Sequence, residues 1–215
     1  MDSYKKLRKS SNPPYWNRAR RHLLAVDPAL GMVIRKCGRG KLVARNDGFF
    51  SLARSIVGQQ ISVKAAQSIW NKLEQKVGGI SPERVIQRTA LELRECGVTR
   101  QKSTYLLDLA HHFTEGNLAE QNWKELNDSE VKNLITRVKG IGPWTAEMFL
   151  MFHLLRPDIL PVGDVGIQNA MKLHFNENKQ MTTQQMISRA EPWRPWRSVA
   201  SWYLWRSLDP LPVDY

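Results

Sequence analysis

The 215-residue chain has only two cysteines, Cys37 and Cys96. Two thiols are too few for a disulfide-rich scaffold, a four-cysteine zinc site or a four-cysteine iron–sulfur cluster. The sequence has no apolar run near the roughly 18 residues that a membrane span needs, and its start lacks a hydrophobic signal core. We therefore expect no membrane partner and a reducing location, which is the nucleoid-containing cytoplasm of a bacterium or the nucleus of a eukaryote.

Acidic residues are scarce near the start of the chain. Residues 1–45 hold 12 Lys and Arg against Asp2 and Asp27, so this segment carries +10 of the formal net charge of +12. Such a basic segment indicates an anionic partner, most simply nucleic acid, because phosphate attraction and counterion release favour binding. A solubilising tail would have the same charge. Residues 1–13 are polar and aperiodic, and we expect them to form a flexible arm.

Strand-like alternation is nearly absent, and apolar residues recur at helical spacing through most of the chain. Several of these apolar stripes follow residues that commonly begin helices, namely Asp27, Ser62, Ser81 and Thr99. Residues 160–166 are the one short extended candidate. The pattern predicts an all-α protein with about nine to eleven short helices.

A glycine-rich turn joins two predicted helices at residues 134–146. The first helix is predicted to end at Gly140, and the second to begin after Pro143. The N–H groups of Gly140, Gly142 and Thr145 would then face outward at a positive helix terminus, where a DNA phosphate can bind. A plain helix–turn–helix corner with a glycine cap would have the same sequence.

Asp164 lies 24 residues after Gly140 and precedes another predicted helix. By itself it has the position of an ordinary N-cap residue. Together with GIGPWTA (residues 140–146), it resembles the helix-hairpin-helix (HhH-GPD) DNA glycosylase superfamily, in which a catalytic Asp follows the hairpin at a similar distance. The segment FSLARSIVGQQISVKAA (residues 50–66) resembles the opening segment of this superfamily. WRPWRS (residues 193–198), followed by Trp202 and Trp205, resembles the C-terminal segment of its 3-methyladenine DNA glycosylase II branch.

The resemblance implies an all-α, two-lobed glycosylase fold with a helix-hairpin-helix motif at 130–154 and a DNA-binding cleft between the lobes. It implies one helical lobe formed by 14–45 with 155–215, and a central lobe of 46–154. The implied partner is double-stranded DNA containing damaged bases, bound by a monomer.

The resemblance further implies a monofunctional glycosylase of base excision repair. Such an enzyme flips out an alkylated purine of the 3-methyladenine or 7-methylguanine type and hydrolyses its N-glycosidic bond, leaving an abasic site. Asp164 would stabilise the oxocarbenium-like sugar, with Asp158 as its nearest rival. Lyase-active members carry a Lys where this chain has Trp144, so we expect no lyase activity. The alternatives are a glycosylase for another lesion, such as uracil or hypoxanthine, and a non-catalytic DNA-binding protein.

The matching positions assign Trp144, Met148 and Trp205 to the base pocket, where indole faces would stack on a cationic purine. Core packing is the alternative for each tryptophan, and we assign three others to the core: Trp70, Trp123 and Trp193.

Gln59 and Gln60 lie in the segment that contacts DNA in the family, and Gln60 matches the residue that fills the gap left by the flipped nucleotide. A pair of helix-capping amides is the alternative. The family hairpin commonly binds a monovalent cation through main-chain carbonyls, here those of Thr136, Val138 and Ile141. K⁺ or Na⁺ is thus a possible structural ion, and no cofactor is required for the chemistry. The five histidines have no metal-ligand spacing.

Overall fold

The structure, a computed structural model, describes residues 13–38, 40, 42, 47–116, 118 and 122–208. Over these residues the backbone forms twelve α-helices and one 3-10 turn, Glu191–Trp193, with no strand. The all-α prediction is confirmed, whereas the predicted number of helices is too low. Of the predicted basic arm, all but Pro13 lies outside the described residues.

The chain divides into two compact units. The first unit combines the described residues before Asp47 with those from Leu150 onward. Its helices are α1 (Trp16–Val26), α2 (Pro28–Cys37), α10 (Val165–Phe175), α11 (Thr183–Arg189) and α12 (Arg197–Leu208).

The second unit comprises Asp47–Phe149. Its helices are α3 (Gly48–Gly58), α4 (Val63–Val77), α5 (Pro82–Ile86), α6 (Ala90–Glu95), α7 (Arg100–Thr114), α8 (Asp128–Ile135) and most of α9 (Pro143–Phe152). The predicted lobe boundary after residue 154 would place all of α9 in the central lobe. The end of α9 instead belongs to the first unit, where the Phe152 ring stacks on Trp205 with centroids 6.0 Å apart.

A buried carboxylate organises the first unit. Asp27 is 3% exposed and caps α2, where its Oδ1 accepts hydrogen bonds from the Leu30 N–H (3.0 Å) and from Arg189 Nη2 (2.9 Å). Its Oδ2 accepts the indole N–H of the fully buried Trp193 at 2.7 Å. Burial opposes ionisation of Asp27, but hydrogen bonds from Arg189, Leu30 and Trp193 outweigh it and lower the pKa of the carboxyl.

Aromatic pairs fill the second unit. Phe49 contacts Phe113 edge to face with centroids 5.5 Å apart, and the buried Trp70 meets Phe50 in the same way at 4.8 Å. Trp123 packs against Phe149 at 5.2 Å. The core positions predicted for Trp70 and Trp193 are therefore confirmed, whereas Trp123, also predicted for the core, is half-buried.

Local capping signals position most helices as predicted. The side chains of Ser62 and Thr99 accept hydrogen bonds from the N–H groups of Ala65 (3.3 Å) and Lys102 (3.2 Å). Ser81 precedes α5, but its side chain makes no capping hydrogen bond.

Two local predictions are wrong. The helix predicted to end at Gly140 ends at Ile135, because the chain tightens into i→i+3 turns, with Val138 N–H bonded to the Ile135 carbonyl at 3.1 Å. The extended candidate at 160–166 is a turn, in which the Asp164 N–H donates to the Pro161 carbonyl at 2.9 Å.

Candidate active site

Asp164 is the N-cap residue of α10, as its position in the sequence predicts. Its Oδ1 accepts two hydrogen bonds, from the Ile167 N–H at 2.8 Å and from the Trp205 indole N–H at 2.7 Å. The residue is 8% exposed. Two N–H donors that converge on one oxygen fix the orientation of the carboxylate, and N–H donors suit a carboxylate acceptor.

Trp205 and Gly166 complete the surroundings of this carboxylate. Trp205 is buried, and its ring stacks on Phe152 at an interplanar angle of 28°. A Cβ at Gly166 would lie 2.9 Å from Trp205 Cδ1 and 3.0 Å from Asp164 Oδ1. Only glycine therefore lets the indole approach this closely. The structure gives Trp205 a supporting role toward Asp164, and its place in a base pocket stays a prediction.

Asp158, the rival carboxylate, is engaged by two arginines. Its Oδ1 accepts from Arg197 Nε at 2.6 Å, and its Oδ2 accepts from Arg197 Nη2 at 3.0 Å and from Arg194 Nη1 at 2.6 Å. A carboxylate neutralised by two guanidinium groups is a poor stabiliser of a second cation. These ion pairs count against Asp158, and the catalytic role of Asp164 stays a prediction.

The backbone of the glycine-rich turn is closely packed at one glycine and open at the other. Gly140 has φ +80°, and a Cβ there would overlap the Tyr105 ring. A Cβ at Gly142 would meet no atom within 4 Å, so the backbone there is open. Because α9 begins at Pro143, the N–H of Thr145 lies in the first helical turn, where no i−4 carbonyl within the helix can accept it. Anion binding by Gly140, Gly142 and Thr145 stays a prediction.

An aspartate on α7 fixes one limb of this turn. Asp108 Oδ2 accepts the backbone N–H of Lys139 at 2.8 Å, and Asp108 Oδ1 pairs with Lys139 Nζ at 3.2 Å. Sequence reasoning missed Asp108, because the two residues are 31 positions apart and no motif joins them.

The segment that follows α3 is held from two sides, and we call residues 59–62 the wedge loop. Gln59 Nε2 donates to the Gly140 carbonyl at 2.9 Å, which gives this side chain an intramolecular role that the sequence did not indicate. Gln60 is exposed and has φ +57°. Lys102 Nζ donates to the carbonyls of Val57 (2.8 Å) and Gln59 (2.7 Å). Of the two predicted DNA contacts, Gln60 is the one whose side chain is exposed.

The remaining predicted residues lie on or before α9. Trp144 is half-buried and Met148 is 6% exposed, one helical turn apart. In the turn, the Val138 carbonyl accepts the Ile141 N–H at 3.1 Å. The predicted cation ligands are the carbonyls of Thr136, Val138 and Ile141, and their role stays a prediction.

The described part of the chain contains neither a metal-ligand cluster nor a membrane-spanning helix. Among those residues, no three His, Cys, Asp or Glu side chains are grouped so that they could hold a metal ion. No described helix combines the length and the apolar character needed to cross a bilayer.

Comparison with known proteins identifies similar sequences and folds. A model of the HhH-GPD superfamily of base excision DNA repair proteins matches residues 53–195. The chain is 30% identical over 195 residues to a DNA-3-methyladenine glycosylase of Bacillus subtilis. The matched region covers 85% of this chain and 64% of that relative. A crystal structure of a DNA-3-methyladenine glycosidase from Bacillus halodurans matches with a TM-score of 0.82 and 35% identity, over 93% of this chain and 91% of that chain.

A second solved structure contains DNA. It is a 3-methyladenine DNA glycosylase of Schizosaccharomyces pombe in complex with abasic DNA, with a TM-score of 0.77 and 28% identity over 92% of this chain and 98% of that chain. The chain spans less than two thirds of the length of two relatives from Bacillus subtilis, 64% and 58% respectively. The family resemblance and the glycosylase fold predicted from the sequence are confirmed.

Proposed function

Because the chain belongs to the HhH-GPD superfamily of base excision DNA repair proteins, we propose that it is a monofunctional DNA glycosylase. Its substrate is an alkylated purine of the 3-methyladenine or 7-methylguanine type in double-stranded DNA, and its product is an abasic site. The observation that carries the proposal is the Asp164 carboxylate, which two N–H donors orient and which the sequence resemblance matches to the catalytic Asp of the superfamily.

In the proposed mechanism Asp164 acts through its negative charge. As the bond between the sugar and the base stretches, positive charge develops on the sugar, and a fixed carboxylate stabilises it without having to reorient. The departing purine takes the bonding electrons, and water adds to the sugar and loses a proton. Trp205 and Ile167 keep Oδ1 in place during these steps, since both donate to it.

Alkylated purines suit such a site because they carry a positive charge before the bond breaks. Cleavage then produces a neutral leaving group, so few hydrogen bonds to the base are needed. A cationic ring also gains from stacking on an indole, which is the role that we propose for Trp144 and for Trp205. The relatives named 3-methyladenine glycosylases support this substrate class.

The absence of lyase activity is part of the proposal. The resemblance matches Trp144 to the position of the Schiff-base lysine, and two lysines of the same unit are engaged elsewhere. Lys139 Nζ pairs with Asp108 at 3.2 Å, and Lys102 Nζ is bound to two carbonyls. Borohydride added during turnover should therefore trap no protein–DNA adduct, and a trapped adduct would contradict a purely hydrolytic reaction.

We propose that the glycine-rich turn binds a DNA phosphate. We also propose that the protein acts as a monomer on chromosomal DNA, in the nucleoid or the nucleus.

The carbonyls of Thr136, Val138 and Ile141 fit a K⁺ or Na⁺ ion, because carbonyl oxygens are the donors such ions prefer and each carbonyl has two lone pairs. A bound ion would add positive charge near the phosphate. Replacing K⁺ by Li⁺ should then weaken binding to abasic DNA, with an unchanged affinity counting against the ion.

Base release from DNA tests the proposed function directly. Purified protein is incubated with duplex DNA that carries single lesions, and free bases are separated by chromatography. We expect release of 3-methyladenine and 7-methylguanine, with much slower release of uracil and hypoxanthine. Preferential release of uracil or hypoxanthine would assign another substrate. Salt-sensitive DNA binding without release of any base would identify a non-catalytic DNA-binding protein.

A further inference from the structure

One side of α7 contacts both segments that the proposed function assigns to DNA. Lys102, Tyr105 and Asp108 are spaced three residues apart, so they lie on neighbouring turns of the same helix side. Lys102 binds the wedge loop, the Tyr105 ring covers Gly140, and Asp108 binds Lys139. All of these residues belong to the second unit.

Lys102 is an unusual residue in this row because its charged end is inside the protein. It is 9% exposed, and its ammonium group donates to two main-chain carbonyls, those of Val57 and Gln59. Burial lowers the pKa of its ammonium group. The position is nevertheless favourable for a cation, because both carbonyls lie at the C-terminal end of α3, where the helix dipole is negative. Hydrogen bonds to these carbonyls offset the loss of hydration.

The wedge loop has a conformation that requires such support. Gln60 has φ +57°, a left-handed backbone that a non-glycine residue rarely adopts. The residue before it is fixed at both ends, since the Gln59 carbonyl accepts from Lys102 and the Gln59 side chain donates to the Gly140 carbonyl at 2.9 Å. Gln59 therefore connects the loop that carries Gln60 with the glycine-rich turn.

We propose that Lys102 is a positioning residue for nucleotide flipping, which holds the wedge loop in register with the phosphate-binding turn. The inference rests on the proposed function, because it gives Gln60 and the turn their DNA partners. Lys102 touches no DNA in this account. It acts through Gln59, whose side chain is hydrogen-bonded to the Gly140 carbonyl. Tyr105 and Asp108 hold the turn that contains Gly140 against α7, the helix that also carries Lys102.

The central test compares Lys102→Met with Lys102→Arg. Methionine keeps the length and removes the donors, whereas arginine can donate to both carbonyls. Lys76→Met is the matched control, because it removes the same charge from the same unit at an exposed ion pair with Glu95. Circular dichroism and thermal denaturation check that each variant is folded.

The first readout is the fluorescence of 2-aminopurine placed beside a tetrahydrofuran abasic analogue in duplex DNA, at saturating protein. Insertion of the Gln60 side chain unstacks this base and raises its fluorescence. Lys102→Met should lose more than half of the increase that the wild-type protein produces, while Lys102→Arg and Lys76→Met retain it. A full increase with Lys102→Met would overturn the proposal.

The second readout separates positioning from a general loss of structure. Release of 7-methylguanine should fall about tenfold or more in kcat for duplex DNA with Lys102→Met, because flipping precedes chemistry. Release from single-stranded DNA, which needs no wedge, should change less than about threefold. Equal losses on both substrates would contradict the proposal.

A double variant identifies the route of the effect. If Lys102 acts through the wedge loop, Lys102→Met adds little to the loss caused by Gln60→Ala, whereas additive losses would contradict this route.

Should Lys102→Met fail to fold, Asp108→Asn provides a second test. It weakens the attachment of the turn to α7, so it should also reduce the 2-aminopurine signal, and an unchanged signal would contradict the account. The fluorescence needs no catalysis. A wild-type protein that releases no base would therefore refute the proposed function and leave this inference separately testable.

Discussion

The two units of the chain present their candidate functional groups in different ways. In the first unit the proposed reactive group is a side chain, Asp164, whose Oδ1 is fixed by an indole N–H and a backbone N–H. In the second unit the groups that would meet DNA are mainly backbone N–H groups of a turn, which side chains of α7 hold in place.

This difference predicts two kinds of sensitivity to mutation. A side-chain site depends on a few named atoms, so a substitution that removes one donor reduces the chemistry and spares DNA binding. A backbone site depends on conformation, so its side chains can vary while its glycines cannot. The variants below are chosen to break or sharpen this contrast.

The largest effect outside the carboxylate itself should come from Gly140→Ala. Alanine is strained at φ +80°, and its Cβ would overlap the Tyr105 ring. We expect about 2 to 4 kcal/mol less free energy of unfolding, together with a large loss of affinity for abasic DNA. Chemical denaturation and fluorescence anisotropy measure the two quantities.

Gly142→Ala is the control for this variant. No atom lies within 4 Å of a Cβ at this position, so the free energy of unfolding should change by less than about 1 kcal/mol. Affinity for abasic DNA should still fall, because the methyl group lies where a phosphate would approach. Equal stability losses for both alanines would show that the turn is not the ordered backbone site described above.

Trp205→Phe should have the next largest effect, and it concerns the first unit. It removes the indole N–H that donates to Asp164 Oδ1 at 2.7 Å. The single-turnover rate of base release should fall about 10- to 100-fold because the carboxylate is less well oriented, while affinity for abasic DNA stays close to that of the wild type. Trp196→Phe, at a partly exposed ring that stacks on Tyr15, is the matched control and should retain the rate. Base release at the wild-type rate by Trp205→Phe would show that the indole N–H of Trp205 does not support Asp164.

How much of the fold and the candidate site could be predicted from the sequence depends on how far apart in the chain the contacting residues are. The caps Asp27, Ser62 and Thr99 were predictable because a capping residue and the helix whose N–H group it accepts are adjacent in the chain. The early end of α8 was not predictable, because the same pattern of apolar residues suits an α-helical turn and a turn with i→i+3 hydrogen bonds.

The supports of the candidate site were also beyond sequence reasoning. Trp205 and Asp164 are 41 residues apart, and Lys102 and Gln59 are 43 apart. Such pairs meet only through tertiary packing, and no local pattern specifies them. Asp164 itself was predictable as an N-cap, and the catalytic role proposed for it rests on the family resemblance.

A smaller effect is expected from the pH dependence of stability. The pKa of Asp27 is lowered in the folded protein, so the carboxylate stabilises the fold above its unfolded pKa and loses this contribution as the pH falls through the lower, folded pKa. The free energy of unfolding should therefore fall below about pH 4. Asp27→Asn should be less stable by about 1 to 3 kcal/mol at neutral pH and should show a shallower acid dependence. An identical acid dependence would contradict the buried ion pair.

The smallest effect should come from removing residues 1–13. Their net charge, from four basic residues and one acidic residue, is +3. Loss of these charges should weaken DNA binding and flatten its dependence on salt. Anisotropy titrations across a salt series measure both, and an unchanged slope would show that the segment makes no phosphate contacts.

Asp164→Asn tests the central claim most directly. Asparagine keeps the size and the acceptor oxygen that Ile167 and Trp205 need, and it removes the negative charge. With the variant at saturating concentration on methylated duplex DNA, we expect the single-turnover rate of 3-methyladenine release to fall about 1,000-fold or more, while affinity for abasic DNA changes only a few-fold. Release at the wild-type rate would contradict the assignment of Asp164 as the catalytic carboxylate.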